Sequence, residues 1–307
     1  MRRVALLFAT SLLLGCGLLF PVRAPAQEAS EHNTLTPQEQ DNGWELLFDG
    51  ETTDGWRGYN QKSFPDEGWT VRDGTLLIQE SGGGVSGSGG DILTTESYDD
   101  FILTLEWKIA KGGNSGVFYR AIEQEGVAIY WSAPEMQVLD NANHPDATRG
   151  EDGNRKAGSL YDLIPAKPQP FTGHGEWQQV KIVADGAHVE HWLNGTKVLE
   201  YELWTPGWYE MIRNSKFECH PAFGDAREGP IGLQDHGTRA QFRNIKIKEL
   251  GGESSGGWGG RWGRRTTGGR NRSGNRVQPV REWGCPLFLP IGADPPARSL
   301  AALNNAR

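Results

Sequence analysis

The stretch Phe101–Ile109, FILTLEWKI, alternates apolar and polar side chains. Successive side chains of a β-strand point to opposite faces, so the odd-numbered residues, all apolar, share one face. Thr104, Glu106 and Lys108 share the other face. This pattern is typical of an antiparallel strand with one face in a core and the other in water.

Similar short runs follow one another from Gly43 to Leu250, separated by Gly, Asp, Asn and Pro, with hardly any helical periodicity. The dipeptides Asp73-Gly74 and Asn194-Gly195 each lie between two runs and predict tight hairpins, because both turn positions need positive φ. About a dozen strands in this region indicate an all-β, two-sheet antiparallel sandwich, most simply a jelly roll. The other predicted strands are Trp69–Val71, Thr75–Gln79, Gly116–Ala121, Val127–Trp131, Glu135–Asp140, Trp177–Ala184, His188–Leu193 and Phe242–Leu250.

The N-terminus has the features of an export signal. Two arginines precede the apolar run Val4–Phe20, and Ala24–Ala26 has the small-x-small pattern of a signal peptidase site. Residues 1–26 are therefore predicted to be a signal peptide, which makes the protein periplasmic or secreted. Alternatively, Leu13–Cys16 is a lipobox and the protein is a lipoprotein anchored to a membrane through Cys16.

Composition divides the rest of the chain into three parts. Residues 27–42 are polar and predicted to be a linker, 43–250 form the β domain, and 251–307 are a Gly- and Arg-rich tail predicted to be disordered.

Residues 27–250 carry nearly twice as many acidic as basic side chains, which argues against a nucleic-acid partner. Cys16, Cys219 and Cys285 fall in three different parts and predict no disulfide framework, and Cys219 is expected to be a small buried residue rather than a nucleophile.

The strand EMQVLD, Glu135–Asp140, holds the main catalytic candidates. Met136 and Val138 can enter a core, while Glu135 and Gln137 share the opposite face. Glu135 and Asp140 could act as a carboxylate pair if a bulge brought them to one face. An exposed strand with polar residues facing water is the alternative.

Further candidates are polar residues in neighbouring segments. Asp140, Asn141, Asn143, His144 and Asp146 crowd the segment DNANHPDA, where calcium is one reading and an Asx-rich turn the other. Side chains of the types that bind sugars or transfer protons occur in NSGVFYRA, AGSLYD, HVEHWLNG and GLQDHG. They are Asn114, Tyr119, Arg120, Tyr161, His191, Asp235 and His236.

From Gly43 to Leu250 the chain resembles the 3-keto-disaccharide hydrolase domain family. The matching segments include ELLFDGETTDGW, NSGVFYR, EMQVLDNANHPDA, AGSLYDLIPA, GEWQQVKIV, HVEHWLNG, SKF and GPIGLQDHGTRAQFRNIKI. The resemblance implies a concanavalin A-like jelly roll, bacterial export, and a sugar substrate already oxidised to a ketone at C3. It implies no nicotinamide or other cofactor, and calcium remains an alternative.

A C3 ketone acidifies the C2 proton, so the chemistry needs a base, an acid for the leaving group and groups that stabilise an enolate. Glu135 is the expected base, with Asp140 or His236 as the acid. The expected substrate-binding residues are Asn114, Tyr119, Arg120, Gln137, His144, Tyr161, His191 and Asp235. No metal ligand is assigned.

Two other functions stay open at this point. Jelly rolls of this kind also serve as non-catalytic, lectin-like sugar-binding modules. EMQVLD also resembles the Glu-x-Asp-x-x-Glu strand of laminarinases and lichenases, which are retaining endo-glucanases, but Gln137 replaces the middle carboxylate and Asp140 is shorter than Glu.

Overall fold

Thirteen β-strands and two α-helices are assigned in the residues that the computed structural model describes, which are 32–82, 87–220 and 222–251. The predicted leader and nearly all of the Gly- and Arg-rich tail lie outside the described residues. The helices are α1 (Pro37–Asp41) and α2 (Pro206–Arg213). The strands are β1 (Trp44–Leu46), β2 (Trp56–Gly58), β3 (Trp69–Arg72), β4 (Thr75–Ile78), β5 (Ile92–Thr94), β6 (Phe101–Ile109), β7 (Asn114–Phe118), β8 (Glu135–Leu139), β9 (Gln178–Asp185), β10 (His188–Leu193), β11 (Thr196–Glu202), β12 (Gly232–Leu233) and β13 (Ala240–Glu249).

The strands form two antiparallel sheets. The larger has the order β11-β10-β9-β6-β13-β4-β3, with β1 paired to β13 as its eighth strand. The smaller has the order β2-β5-β12-β7-β8. The predicted all-β two-sheet sandwich is therefore confirmed.

The core lies between the two sheets. The odd-numbered side chains of β6 are buried in one cluster with Val117, Met136 and Val138 of the smaller sheet. The predicted alternation of β6 and β8 is confirmed, because Met136 is 1% exposed and belongs to this cluster. The face of the smaller sheet that points away from the core is called the outer face below, and it carries Glu135 and Gln137.

The hairpin predictions are confirmed, and one strand prediction is wrong. Asp73 and Asn194 adopt positive φ values of 51° and 48°, and a glycine with positive φ follows each, which closes the β3–β4 and β10–β11 hairpins. Val127–Trp131 is not a strand: Ile129–Trp131 is a turn of 3₁₀-helix, closed by the hydrogen bond from Trp131 N to Ala128 O.

The described end of the predicted linker packs on the domain. Asn33 and Asn244 exchange two hydrogen bonds, each from the backbone N–H of one to the side-chain oxygen of the other. Helix α1 begins with a capping box between Thr36 and Glu39, and Glu39 also binds Lys246 of β13 at 2.8 Å. No helix in the described ranges has the length and apolarity needed to cross a bilayer.

Candidate functional site

The outer face of the smaller sheet is laid out in rows by the strand register. One row runs Leu93, Gly232, Phe118 and Glu135 across β5, β12, β7 and β8. The next row lies two residues further along each chain segment. It contains Gly116 paired with Gln137, and the same register continued just beyond the ends of β5 and β12 adds Asp91 and Gln234. Because side chains repeat every two residues, both rows point away from the core.

Gly116 forms a floor under the Glu135 carboxyl group. A Cβ atom at residue 116 would lie only 2.1 Å from Glu135 Oε1. Any larger residue at this position would therefore displace the carboxyl group. The side chain of Glu135 leans from its own strand across β7, toward the middle of the outer face.

Glu135 is a buried carboxyl group that holds its proton unusually well. Its side chain is 5% exposed, and burial raises its pKa to about 8. The Lys216 ammonium opposes this shift, while the carboxylates of Asp91, Asp146 and Asp162 reinforce it. A carboxyl group with a pKa close to neutral can both accept and donate a proton.

Two amide oxygens on the outer face have no hydrogen-bond donor within the described ranges. Gln137 is 1% exposed, and its Oε1 has no hydrogen-bond partner among the described residues. Asn114 Oδ1 is in the same condition, and alternation along β7 puts Asn114 on the same face as Gly116. A buried acceptor without a donor costs roughly 1–3 kcal/mol, so both oxygens are positioned for a ligand that brings hydroxyl groups.

A network of charged side chains borders Glu135. Arg155 donates to both carboxylate oxygens of Asp162 and, at 3.2 Å, to Asp146 Oδ1. The Tyr161 hydroxyl donates to Asp146 Oδ2 at 2.9 Å. Lys216 lies 4.1 Å above the Tyr161 ring and 3.7 Å from Asp162. The network fixes Tyr161 and Lys216 next to the buried carboxyl group.

His144 and His236 meet edge to face, with ring centroids 6.2 Å apart. Burial lowers the pKa of both imidazoles, and the Asp146 carboxylate acts in the opposite direction on each. His144 Nδ1 accepts the backbone N–H of Asp146, so this ring is neutral in that tautomer. Two imidazoles with lowered pKa values thus lie near the same carboxylate that influences Glu135.

Known proteins resemble this chain in both sequence and fold. The model of the 3-keto-alpha-glucoside-1,2-lyase-like domain family matches residues 43–248. The chain belongs to this family. A 3-keto-disaccharide hydrolase from Bacteroides thetaiotaomicron is 43% identical over 244 residues, which cover 73% of this chain and 84% of the relative.

Two crystal structures from Parabacteroides distasonis, both of candidate glycosyl hydrolases, share the fold. One is 32% identical and covers 72% of this chain and 100% of its own, with a TM-score of 0.64. The other is 26% identical and covers 68% and 100%, with a TM-score of 0.53. The family resemblance predicted from the sequence is confirmed, and the chain is a carbohydrate-active enzyme of the glycoside hydrolase class.

The structure brings Glu135, Gln137, Asn114, His144, Tyr161 and His236 to one side of the smaller sheet, but it does not bring Asp140 to Glu135. The β7–β8 ladder runs from Phe118–Glu135 to Asn114–Leu139 without the bulge that a shared face requires. Asp140 is fully buried and accepts hydrogen bonds from Gly112 N, Asn143 Nδ2 and Ala142 N. Burial would raise its pKa, but these hydrogen bonds lower it. Asp140 therefore anchors the turn after β8.

Tyr119 and His191 lie inside the sandwich and not on the outer face. His191 Nδ1 is bonded to Gly158 O at 3.1 Å and Nε2 to the Tyr119 hydroxyl at 2.9 Å. Tyr119 is also hydrogen-bonded to Tyr201. Burial lowers the pKa of His191 to about 4, so its ring is neutral. These contacts support a structural role in the core.

Arg120 and Asp235 are likewise occupied by the protein. Arg120 is 1% exposed and donates to Asp99 O, Gly186 O and Asp100 Oδ1. Asp235 is fully buried and accepts the backbone N–H groups of Gly89 and Gly237, which ties the segment at Gly89 to the turn after β12.

Several residues near Glu135 were not among the sequence-based candidates. Alternation within GLQDHG would have found Gln234, since it shares a face with His236 while Asp235 points the other way. SKF, which contains Lys216, was used only for the family resemblance. Asp91, Arg155 and Asp162 come from distant loops and left no periodic signal. Asp146 was considered from the sequence only as a calcium ligand or part of an Asx-rich turn in DNANHPDA.

Metal-ligand geometry occurs elsewhere in the described part of the chain. His188, Glu190 and Glu200 offer ligand atoms within 4.8 Å of one another on the larger sheet, but Lys197 binds both glutamates. In the segment suggested for calcium, Asp146 and Asp140 are bonded to protein donors.

Cys219 belongs to a disulfide and is not an isolated thiol.

Proposed function

We propose that this enzyme cleaves the glycosidic bond of 3-keto-glycosides, with Glu135 as the base that removes the C2 proton. The observation that carries the proposal is the buried Glu135 carboxyl group, with a pKa of about 8. It lies beside the amide oxygen of Gln137, which has no hydrogen-bond partner in the described part of the chain. The relative from Bacteroides thetaiotaomicron is named for 3-keto-disaccharide hydrolysis, which supports the same substrate class.

The reaction follows from the acidity of the carbon beside the ketone. Glu135 takes the proton from C2, and the electron pair of that bond forms an enolate on the C3 oxygen. Collapse of the enolate breaks the C1–O bond and expels the aglycone oxygen, which takes up a proton from an acid. Addition of water at C1, with return of a proton to C2, completes hydrolysis. Without that addition the product is the unsaturated keto-sugar of a lyase.

His236 is the preferred acid for the leaving group. Of the two acids considered from the sequence, Asp140 is locked into a turn, whereas His236 lies beside His144 on the side of the sheet that carries Glu135. Gln137, Asn114 and Tyr161 are assigned to holding sugar hydroxyl groups. This chemistry needs no nicotinamide, because the sugar is already oxidised at C3, and the assay below tests for a calcium requirement.

The pKa of Glu135 sets an expected pH dependence. The base is active when ionised, and its ionised fraction increases as the pH rises through about 8. Turnover should therefore increase from pH 6 toward pH 8. Removal of the C2 proton should also appear as exchange of that hydrogen with solvent deuterium when the enolate returns to substrate.

A matched assay on oxidised and unoxidised disaccharides tests the proposal. We expect monosaccharide or unsaturated keto-sugar to form from the 3-keto-disaccharide and not from its parent, equally with and without a chelator. Cleavage of the parent sugar at the same rate would instead support an ordinary glycosidase. Binding of the 3-keto sugar without any product would support a sugar-binding module, and loss of turnover with chelator would show a metal requirement.

We propose further that the protein works outside the cytoplasm. The support is the N-terminal leader, with cleavage after Ala26 or lipidation of Cys16 as the two processing routes. Intact-mass measurement of the mature protein from a cell-envelope or culture fraction separates them. A chain that begins at Gln27 supports cleavage, and a diacylated Cys16 supports the anchor.

A further inference from the structure

A second carboxyl group faces Glu135 across the outer face. Asp91 directly precedes β5 and shares a row with Gln234, Gly116 and Gln137. β5 and β8 are three strand spacings apart, which is about 14 Å. Glu135 leans one strand inward over Gly116, so about 10 Å of sheet separates the two carboxyl groups. Glycine and amide side chains form the floor between them.

Asp91 has the surroundings of a group that meets a ligand. Its Oδ1 accepts the backbone N–H of Asp235 at 3.0 Å, and this is the one hydrogen bond that the carboxyl group makes to the described residues. Asp235, fully buried, is itself fixed by Gly89 and Gly237. The Asp91 carboxyl group is thus held in orientation through one oxygen, and the residue keeps partial solvent exposure.

Both carboxyl groups resist ionisation for the same reason. Burial raises the pKa of Asp91 to about 7, and the charge of neighbouring Asp235 adds to the shift. The charge of Asp91 in turn raises the pKa of Glu135. Two carboxyl groups that interact across a buried surface titrate as a pair, so ionisation of one favours the protonated form of the other.

We propose that Asp91 is a second catalytic residue of this site, a neutral carboxylic acid that donates a hydrogen bond to the C3 oxygen of the 3-keto sugar. This inference rests on the proposed function. The active state is the singly ionised form of the pair in which Glu135 carries the charge and Asp91 carries the proton. When Glu135 takes the C2 proton, the negative charge moves from its carboxylate to the C3 oxygen, and the Asp91 O–H bonds to that oxygen. The pair neither gains nor loses charge overall, and the amide floor adds none.

Other ionisable groups surround the pair and remain in the variants described below. Asp235 and Tyr59 interact with Asp91. The charges that act on Glu135 come from Lys216, Asp146 and Asp162, and Tyr161 is coupled to Glu135 as well. Because these groups stay unchanged when Asp91 is replaced, a shift in the pH profile can be assigned to the loss of its carboxyl group.

The test compares Asp91→Asn and Asp91→Ala with Asp185→Asn, a replacement of an exposed aspartate on β9. Asp91→Ala removes the donor, and we expect kcat on a 3-keto-glucoside to fall about 10²–10³-fold with a much smaller change in KM. Asp91→Asn keeps an N–H donor and an acceptor for Asp235 N–H, so it should fold normally and retain more activity. Asp185→Asn should behave as wild type.

The pH profile separates this role from a structural one. The active form carries one negative charge on the pair, so the wild-type profile should rise as the first carboxyl group ionises and fall as the second ionises. Asp91→Asn leaves a single carboxyl group of the pair, so its profile should only rise. Wild-type kcat and an unchanged profile in Asp91→Asn and Asp91→Ala would overturn the role of Asp91 alone. A wild-type enzyme without turnover of any 3-keto-glycoside would overturn the proposed function and this inference with it.

Discussion

At the residue scale, Glu135→Gln is the most direct test of the base. The amide keeps the size of the side chain above Gly116 but cannot take a proton at neutral pH. General-base catalysis contributes typically 10²–10⁴-fold, so kcat should fall within that range while KM changes little. Steady-state kinetics on a 3-keto-disaccharide measures both values. Glu96→Gln, on an exposed residue, is the control, and full turnover by a folded Glu135→Gln protein would rule out Glu135 as the base.

Gln137 provides a second residue-scale prediction, because a neutral amide can hold a sugar oxygen without repelling an enolate. Gln137→Glu adds a carboxylate on the same strand face as Glu135. Like charges at this distance should raise the pKa of Glu135 further and disfavour the enolate. We expect lower turnover near neutral pH and a rising limb shifted to higher pH. Faster turnover of the oxidised sugar by Gln137→Glu would contradict this account of the amide.

Strand alternation explains which site residues could be predicted. It correctly separated Met136 from Glu135 and Gln137, because direction within a strand depends only on local sequence. It could not find Asp91 or Lys216, which reach Glu135 only after chain segments far apart in sequence have packed together. Asp140 failed as a candidate because the proposed shared face required a bulge that the β7–β8 ladder lacks.

At the element scale, the site depends on the absence of a side chain in the middle of β7. Gly116→Ala would place a Cβ atom 2.1 Å from Glu135 Oε1, so the carboxyl group must move. We expect a folded protein with kcat reduced at least about 10-fold, since small displacements of a reacting group are costly. Gly207→Ala, near the start of α2, meets only an ordinary contact of 3.9 Å and is the matched control. Equal kcat values for the two variants would show that Gly116 is not required for the position of the base.

Elements whose conformation is set by the residues of the element itself were predicted well. Elements whose conformation is set by tertiary contacts were not. The Asn194-Gly195 hairpin was predicted from residues that tolerate positive φ, and its geometry follows from the turn itself. Val127–Trp131 was rich in β-formers but became a 3₁₀ turn, where the Tyr59 hydroxyl donates to Val127 O at 2.9 Å. Tertiary contacts of this kind override strand propensity.

At the scale of the whole molecule, the fold and the site have different origins in the sequence. Apolar alternation repeated along many strands determines two sheets around one core, and this pattern can be read directly. The outer face becomes a site only when the segments that carry Asp146, Tyr161 and Lys216 pack beside β8. Their contacts bury Glu135, and burial is the first cause of its raised pKa. The raised pKa of the proposed base therefore comes with a local cost to the stability of the folded protein.

That cost predicts how stability should vary with pH. The pKa of Glu135 is about 8 in the folded protein and near 4.5 when unfolded, so the folded state binds more protons between these values. The free energy of unfolding must then decrease as pH rises through this window, by up to about 1.4 kcal/mol per pH unit for one group. Between pH 6.5 and 8 this amounts to about 2 kcal/mol, in a range above the lowered pKa values of the buried histidines.

Urea denaturation of wild type, Glu135→Gln and Glu96→Gln at pH 6.5 and pH 8 measures this decrease. Wild type and Glu96→Gln should lose stability over this range. Glu135→Gln has no proton to lose at this position, so its decrease should be smaller by up to about 2 kcal/mol. Its free energy of unfolding should also exceed that of wild type most clearly at pH 8. If the wild-type and Glu135→Gln curves run parallel, the Glu135 carboxyl group is ionised in the folded protein throughout, and burial does not hold its proton.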